Sequence, residues 1–402
     1  MSAPGKTLLQ LEEGAGAKFG EWFGVQLPSE FAGFEGEYRA ARETIAVIDK
    51  NYRAWFSFTG PDRVRYLNAI LTSNIRDLAE GHFAPSLFLN AQGHILAEME
   101  IWALPDKLIA VSYAMVRESL AAQFDKYIIM DDVVLENQTE STGVLALEGP
   151  ATPLALRELS GVDFNSLAEL DFCETAIAGV TGEGTRAGTN TAAIPCRVQR
   201  RTPGGVASAE FTVARADLPA LWIALTFCAT RHGGQPIGYS ALSALRLEAG
   251  IPWFGYDFDE TTLAHEAGLE NSHISYSKGC YLGQEIVERV RSRGRVNRHL
   301  ALVEFSGDAV PPRGAELRGD ERPAETTEGA KASPPNAVSA AKASGHITRA
   351  AWSPARNRPL AMAYLRREFL TPGTKLQWEH GTGVFVREIT ATPPDAADSQ
   401  NN

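Results

Sequence analysis

The stretch Lys278-Gly279-Cys280-Tyr281-Leu282-Gly283-Gln284-Glu285 is the most informative part of this sequence. Gly279 and Gly283 bracket the cysteine, and this spacing predicts a tight turn that leads into a helix. A helix N-terminus carries partial positive charge and would favour a thiolate, to which Lys278 would add. Cys280 is therefore a candidate reactive thiol, with Glu285 partly opposing the positive field. The alternative is a small buried side chain, which is the commonest fate of a single cysteine.

The stretch opens a basic run inside an acidic chain. Between Lys278 and Arg298 there are six basic residues and two acidic ones, whereas the whole chain has a net charge of −11. A generic nucleic-acid binder is usually basic, so the overall charge argues against DNA binding and leaves only limited RNA contact at a local patch. The run would suit an anionic ligand tail or a phosphate, or it is a solvated helix face.

The residues before the motif predict two successive α+β halves, at about 50–140 and 143–240, with a connector over 241–298. In the first half, aromatic-rich Arg53 to Phe58 predicts a strand, and Gly60-Pro61 then opens a helix. Further strands are predicted on either side of a turn at residues 90–93, followed by a helix over 115–128. The second half repeats this order, so both halves are expected to be ferredoxin-like.

The residues after the motif predict a small β-barrel over 299–388, because short apolar strands alternate there with Gly/Pro turns. Within it, 311–344 is rich in Ala, Pro, Glu, Gly and Ser and is expected to be a mobile insertion. Residues 389–402 are expected to form a disordered polar tail.

The cysteines point to a reducing compartment. The chain of 402 residues has only four, Cys173, Cys196, Cys228 and Cys280, with no CxxC pair and no zinc spacing. We therefore expect no metal site. The N-terminus lacks a signal-peptide pattern and no apolar run is long enough to span a membrane, so a cytoplasmic location is expected.

Several stretches together resemble the YgfZ family of folate-binding proteins, within the glycine-cleavage T-protein (aminomethyltransferase-like) superfamily. The motif at 278–285 is similar to the YgfZ signature. Residues 67–75 with 89–96, residues 244–257, and residues 345–354 resemble segments that YgfZ proteins share with T-proteins. The likeness covers 23–386. It implies a three-domain ring of the T-protein type, with two α+β halves, a C-terminal barrel, and tetrahydrofolate or a one-carbon derivative near the central opening.

The resemblance also assigns site residues and exposes departures from T-proteins. The resemblance makes Trp55, Glu98 and Arg246 the candidate cofactor-binding residues, and Trp55 and Arg246 match positions near folate in the family. T-proteins carry an Asp-Asp pair where this chain has Ala97-Glu98, so one catalytic carboxylate is expected to be missing. The Tyr-Thr-Gly-Glu-x-Gly motif of T-proteins is replaced at 203–208, and its glutamate is not evident.

The resulting hypothesis is a tetrahydrofolate-binding protein that supports assembly or repair of iron–sulfur enzymes, including tRNA-modifying ones. Its partners would be folate and the client proteins, because the chain has too few cysteines for its own four-thiolate cluster. The alternatives are a folate-dependent aminomethyltransferase or demethylase, and a folate- or tRNA-binding module without chemistry. The altered carboxylates predict that it is not a classical aminomethyltransferase.

Overall fold

The first half is built on a five-stranded antiparallel sheet. In the computed structural model, which describes residues 6–179, 193–319 and 342–390, its strands run in the order β5-β6-β7-β4-β8. The elements are β4 (Arg53–Thr59), α3 (Arg63–Ile70), β5 (Phe83–Leu89), β6 (Ile95–Ala103), β7 (Leu108–Tyr113), α4 (Arg117–Tyr127) and β8 (Val134–Asn137). One face of the sheet packs on α3 and α4 through a core that includes Phe56, Leu67 and Phe124. The other face is left for the cavity described below.

The second half is not continuous in sequence, because the N-terminal segment supplies one of its strands. That segment comprises α1 (Leu8–Gly14), β1 (Lys18–Trp22), β2 (Val25–Glu30), α2 (Phe34–Glu43) and β3 (Ala46–Asp49). The later elements are β9 (Thr142–Glu148), α5 (Thr152–Ser160), β10 (Phe172–Ile177), β11 (Ile194–Arg201), β12 (Ser208–Ala214), α6 (Leu218–Arg231) and β13 (Gln235–Pro236). The six strands run in the order β10-β11-β12-β9-β3-β13. The sequence-based boundary at residue 143 therefore misses β3, which pairs with β9 on one side and β13 on the other.

The connector contains four helices: α7 (Tyr239–Ala249), α8 (Ala264–Ala267), α9 (Glu270–His273) and α10 (Gln284–Arg293). Helix α7 packs its apolar side against α2 and β2. The segment after it is tied to the barrel by a buried ion pair, in which both Nε and one terminal nitrogen of Arg349 donate to Asp257 at 2.9 and 2.7 Å. This pair joins two of the stretches on which the family resemblance rests.

The C-terminal part is a closed six-stranded barrel, as predicted. Its strands are β14 (Arg298–Phe305), β15 (Glu316–Gly319), β16 (Lys342–Ser353), β17 (Arg358–Arg366), β18 (Lys375–Trp378) and β19 (Gly381–Glu388), closed in the order β14-β17-β16-β15-β18-β19. The α+β fold class with a C-terminal barrel is thus confirmed.

The expected insertion is shorter than predicted where the structure describes it. Residues 316–319 and 342–344 belong to paired strands, with Gly319 opposite Lys342, whereas residues 320–341 lie outside the described residues. Ile389, assigned to the polar tail, is fully buried beside Leu247 and Leu300. Every helix in the described part of the chain is too short or too polar to cross a membrane.

Candidate functional site

A cavity of about 260 Å³ lies where the first sheet, the second half and the connector meet. The first sheet contributes residues of β4 to β7, among them Glu98 and Tyr113. Arg201 comes from the end of β11, and Ser272 and His273 come from α9. Apolar side chains that include Phe83, Val111 and Leu170 form much of the wall. The cavity therefore has an apolar wall and a few charged side chains, a combination that is typical of a small-molecule site.

Strand β6 decides which carboxylates reach the cavity. Successive side chains of a strand point to opposite faces of the sheet. Glu98 and Glu100 line the cavity, whereas Ala97 lies in the apolar core beneath α3 and α4 with only 1% of its surface exposed. A carboxylate in place of Ala97 would thus point away from the cavity. Of the two positions at which one catalytic carboxylate is expected to be missing, Ala97 therefore lies on the core face and Glu98 on the cavity face of β6.

Glu98 is the centre of a hydrogen-bonded chain. Its Oε2 accepts from the Tyr113 hydroxyl at 3.0 Å, and its Oε1 lies 3.3 Å from Nε2 of His273. The other ring nitrogen of His273 lies 2.7 Å from Oγ of Ser272. Burial and the neighbouring carboxylate raise the pKa of Tyr113, so its hydroxyl remains a donor. This chain orients Glu98 and can pass a proton between the cavity and the connector.

A second set of charges closes one end of the cavity. Arg201 forms an ion pair with Glu100, and Arg53 forms ion pairs with Glu210, at 2.7 Å, and with Glu100, to which it also donates a hydrogen bond at 3.4 Å. Burial would raise the pKa of Glu210, but Arg53 and Arg201 outweigh it and lower that pKa to about 2. The same two arginines outweigh burial at Glu100, whose pKa is also lowered. Glu100 and Glu210 are therefore charged at neutral pH, and their ion pairs with Arg53 and Arg201 join β4, β6, β11 and β12.

The predicted folate residues Trp55 and Arg246 are not among the described residues that line this cavity. The guanidinium of Arg246 is buried and donates two hydrogen bonds to Glu148, at 2.7 and 2.5 Å. Trp55 is buried, with its ring 5.5 Å from that of Trp102. Arg246 is thus held by an internal carboxylate, and Trp55 packs behind the cavity wall against Phe83 and Val111.

The motif at 278–285 packs on the first half rather than in the cavity. Gly283 has a φ of +82°, and a Cβ there would lie 2.6 Å from the carbonyl oxygen of Asn90. A Cβ at Gly93 would lie 2.9 Å from the side chain of Ile286, which follows the motif. The two turns therefore interlock, and glycine is required at both positions.

Within the motif, the ammonium group of Lys278 is bound by backbone carbonyl oxygens of the first half. Its Nζ donates to the carbonyl oxygens of Asn68, Leu71 and Ser73 at 2.5 to 2.8 Å, at the C-terminal end of α3. Cys280 is exposed and lies four positions before α10 begins at Gln284. Gly279 has open space around it, and Tyr281 is buried. Glu285 pairs with Arg289 at 2.6 Å.

One mixed group of potential metal ligands lies in the second half. The ligand atoms of Glu158, Cys228 and His232 lie within 4.8 Å of one another. However, Arg231 pairs with the same carboxylate, and Nε2 of His232 lies 3.1 Å from it. The guanidinium charge disfavours a metal ion at this position.

Sequence reasoning missed most of the residues that the cavity brings together. His273 lies in a four-residue helix that has no periodic signal. Glu210 was overlooked although its strand, Ser208–Ala214, places a lone carboxylate between Ala209 and Phe211. A charged residue inside an apolar strand was the available signal, since such a group is rarely buried without a partner.

Two protein families match this chain, one in its N-terminal part and one in its C-terminal barrel. Residues 8–273 match the GCVT N-terminal domain family, and residues 298–394 match the glycine cleavage T-protein C-terminal barrel domain. An aminomethyltransferase of Rubrobacter xylanophilus is 26% identical over 93% of this chain and 87% of its own length. Another, from Streptomyces avermitilis, is 26% identical over 98% of both chains. The crystal structure of the glycine cleavage system aminomethyltransferase T from Bartonella henselae covers 97% of this chain and 98% of its own, with a TM-score of 0.77 at 20% identity.

Proposed function

This chain belongs to the GCVT N-terminal domain family, and from that premise we propose that it binds a reduced folate in the cavity at Glu98 and transfers a one-carbon unit there. The observation that carries the proposal is the position of Glu98 on the cavity face of β6, joined to Tyr113 and His273. The relatives named aminomethyltransferase support the same reaction class. One-carbon transfer therefore replaces support of iron–sulfur enzymes as the leading hypothesis.

The cavity has the chemistry that a pterin requires. A pterin is a flat ring with an N–H donor edge, and a carboxylate is a strong acceptor for such an edge. Glu98 presents a carboxylate, while Phe83, Val111 and Leu170 offer apolar surface on which the ring can pack. A carboxylate has about four acceptor positions, so Glu98 can receive a ligand while it keeps Tyr113 and His273.

The same groups can accept and return the proton that moves during one-carbon transfer. The pterin nitrogen that attacks a one-carbon donor must lose a proton, and the leaving amine must gain one. Glu98 would accept the first proton, and His273 would share it through their contact of 3.3 Å. Ser272 would hold the ring of His273 through the bond of 2.7 Å to its other nitrogen.

A second candidate function is folate-dependent support of iron–sulfur enzymes, including tRNA-modifying ones, as in the YgfZ branch. The observation that favours it is Cys280, which is exposed on a motif held rigidly against the first half. Nothing in the transfer chemistry above requires this thiol. The exposed Arg293 and Arg295 on the same segment would permit limited tRNA contact.

The test is calorimetry with tetrahydrofolate and its 5-formyl and 5-methyl forms on wild type, Glu98→Gln and Cys280→Ala. We expect Glu98→Gln to weaken folate binding and Cys280→Ala to leave it unchanged.

A second experiment measures turnover, as tetrahydrofolate-dependent ammonia release from an aminomethyl-carrying H-protein. Folate binding without turnover would contradict the one-carbon transfer and favour the iron–sulfur function. If no reduced folate binds at about 1 mM, both proposed functions are refuted.

A further inference from the structure

The tip of the hairpin formed by β1 and β2 carries a bulky residue in a backbone conformation that favours glycine. Trp22 pairs with Val25, so Phe23 and Gly24 are the two turn residues, and their φ angles are +52° and +78°. Positive φ at both positions is what a type I′ turn requires, and asparagine, aspartate or glycine usually occupies them. The conformation is strained for phenylalanine, so the packing around the ring of Phe23 must hold it there.

The ring of Phe23 packs against two tyrosines that line the cavity at Glu98. Only 2% of the surface of Phe23 is exposed. Its ring centroid lies 4.5 Å from that of Tyr52 and 5.3 Å from that of Tyr113. Tyr52 and Tyr113 also stack on each other, with centroids 5.5 Å apart and planes at 27°. The three rings are therefore in mutual contact, and two of them belong to the cavity wall.

These ring contacts hold the group that donates to Glu98. The Tyr113 hydroxyl donates to Oε2 of Glu98 at 3.0 Å, so the position of the ring decides whether this hydrogen bond forms. The side chain of Tyr113 retains some exposure, and water could replace its hydroxyl on the carboxylate if the ring were free to move. Aromatic pairs contribute more than their buried area alone, so Phe23 and Tyr52 together restrain the ring of Tyr113.

We propose that Phe23 is a positioning residue for the one-carbon transfer, an inference that rests on the function proposed above. The strained turn brings its ring against Tyr52 and Tyr113, which keeps the Tyr113 hydroxyl on Oε2 of Glu98. The carboxylate then keeps one orientation toward the ligand. Phe23 is not among the described residues that line the cavity, so it acts on the reaction through the two tyrosines.

The test is a double-mutant cycle on the full chain, with Phe23→Leu, Tyr113→Phe and the variant that carries both. Leucine keeps an apolar side chain at the turn but removes the ring. We expect each single substitution to lower the single-turnover rate of transfer from an aminomethyl-carrying H-protein by about tenfold, which corresponds to one hydrogen bond to a charged group. Because both substitutions act on the same hydrogen bond, Phe23→Leu should change the rate by less than about twofold in the Tyr113→Phe background.

Trp22→Leu is the matched control. Trp22 precedes Phe23 in the same hairpin, and its ring contacts Tyr239, Trp253 and Tyr256. This substitution removes an aromatic ring from the same cluster, so it should lower stability but leave the transfer rate within about twofold of wild type. A loss of rate in Trp22→Leu as large as that in Phe23→Leu would show that any damage to the hairpin slows transfer, and it would overturn the specific role of Phe23.

A second measurement needs no substrate. Exchange of the Tyr113 hydroxyl proton with deuterated solvent is followed by NMR of tyrosine labelled at Cζ, and Tyr113→Phe assigns the signal. We expect exchange at least about tenfold faster in Phe23→Leu, because the hydrogen bond to Glu98 opens more often, and unchanged exchange in Trp22→Leu. If Phe23→Leu does not fold, Phe23→Met takes its place in both measurements, since methionine fills the space without a ring.

The outcomes separate this proposal from the proposed function. If wild type transfers the one-carbon unit and Phe23→Leu loses the same factor with and without the Tyr113 hydroxyl, the role of Phe23 is refuted and the proposed function stands. Exchange of the Tyr113 hydroxyl at the wild-type rate in Phe23→Leu would refute the positioning itself. Absence of transfer by wild type would refute the proposed function, and the role of Phe23 in transfer with it.

Discussion

Oε1 of Glu98 lies 3.3 Å from Nε2 of His273, and this contact joins a strand of the first sheet to a helix of the connector. The two residues are far apart in sequence and have no common motif. Their proximity assembles the site from separate parts of the fold, so each part can be tested by a substitution that leaves the others in place.

Replacing Glu98 by glutamine should separate binding from transfer. The amide retains the shape but cannot accept a proton, so the transfer rate should fall by ~10²–10⁴-fold while folate affinity falls less. Single-turnover kinetics with saturating folate would measure the first effect, and calorimetry the second. The control is Glu136→Gln, an exposed residue of β8 in the same sheet. An unchanged transfer rate in Glu98→Gln would show that the proton goes elsewhere.

Restoring an aspartate at Ala97 should harm the protein rather than improve it. The side chain would enter the core beneath α3 and α4, where no cation compensates a carboxylate in the described structure. We expect a loss of about 3 kcal/mol in the free energy of unfolding and no gain in transfer. Urea denaturation measures the loss, with Ala214→Asp at the exposed end of β12 as control. A stable and more active Ala97→Asp protein would contradict this account of β6.

Lys278 should prove to be structural. Replacing it by methionine removes three bonds to carbonyl oxygens at the end of α3 and leaves those oxygens without their donor. The expected loss in the free energy of unfolding is about 2–4 kcal/mol. Lys375→Met, at an exposed barrel position, should cost far less. If the two variants unfold at the same urea concentration, the three bonds contribute nothing to stability.

The charged network at Glu210 should make the protein acid-sensitive. The folded pKa is about 2 and the ordinary value is 4.5, so the unfolded chain binds the proton more readily. The stabilisation is therefore complete above about pH 4.5 and is lost as the pH falls toward 2, with a total of roughly 3 kcal/mol. Denaturation between pH 6 and about 3 should give a shallower slope for Glu210→Gln than for wild type. Parallel slopes would mean that other carboxylates dominate.

Cys280 should be alkylated faster than the other three cysteines near neutral pH. It is exposed, whereas Cys196 and Cys228 are buried and Cys173 is half-buried. Burial raises the pKa of Cys173 and raises that of Cys196 to about 12, which lowers their thiolate fraction further. Competitive labelling with mass-spectrometric readout measures the order. Equal labelling of all four would indicate that Cys280 is protected in solution.

Local patterns predicted the elements that are defined by their own sequence. The aromatic residues of β4 and the Gly60-Pro61 step before α3 predict a strand and a helix without reference to the rest of the chain. The pairing of β3 with β9 could not be predicted in this way, because it depends on contacts between residues about a hundred positions apart. The cavity at Glu98 could not be predicted in full for the same reason. Glu98 was singled out from the family resemblance, but its partner His273 and the direction of Ala97 follow only from the three-dimensional arrangement.

The position of β3 in the second sheet has a consequence for how the chain is made. Ala46 pairs with Gln235, so an early strand must wait for roughly 190 further residues before its outer neighbour exists. At typical rates of synthesis this delay is on the order of 10–40 s. The first sheet lies wholly within that interval and can fold on the ribosome, while one edge of β3 still lacks its neighbour. The nascent chain is therefore most exposed to aggregation in the interval before residue 236 emerges, and a chaperone that binds this early segment would act at that stage.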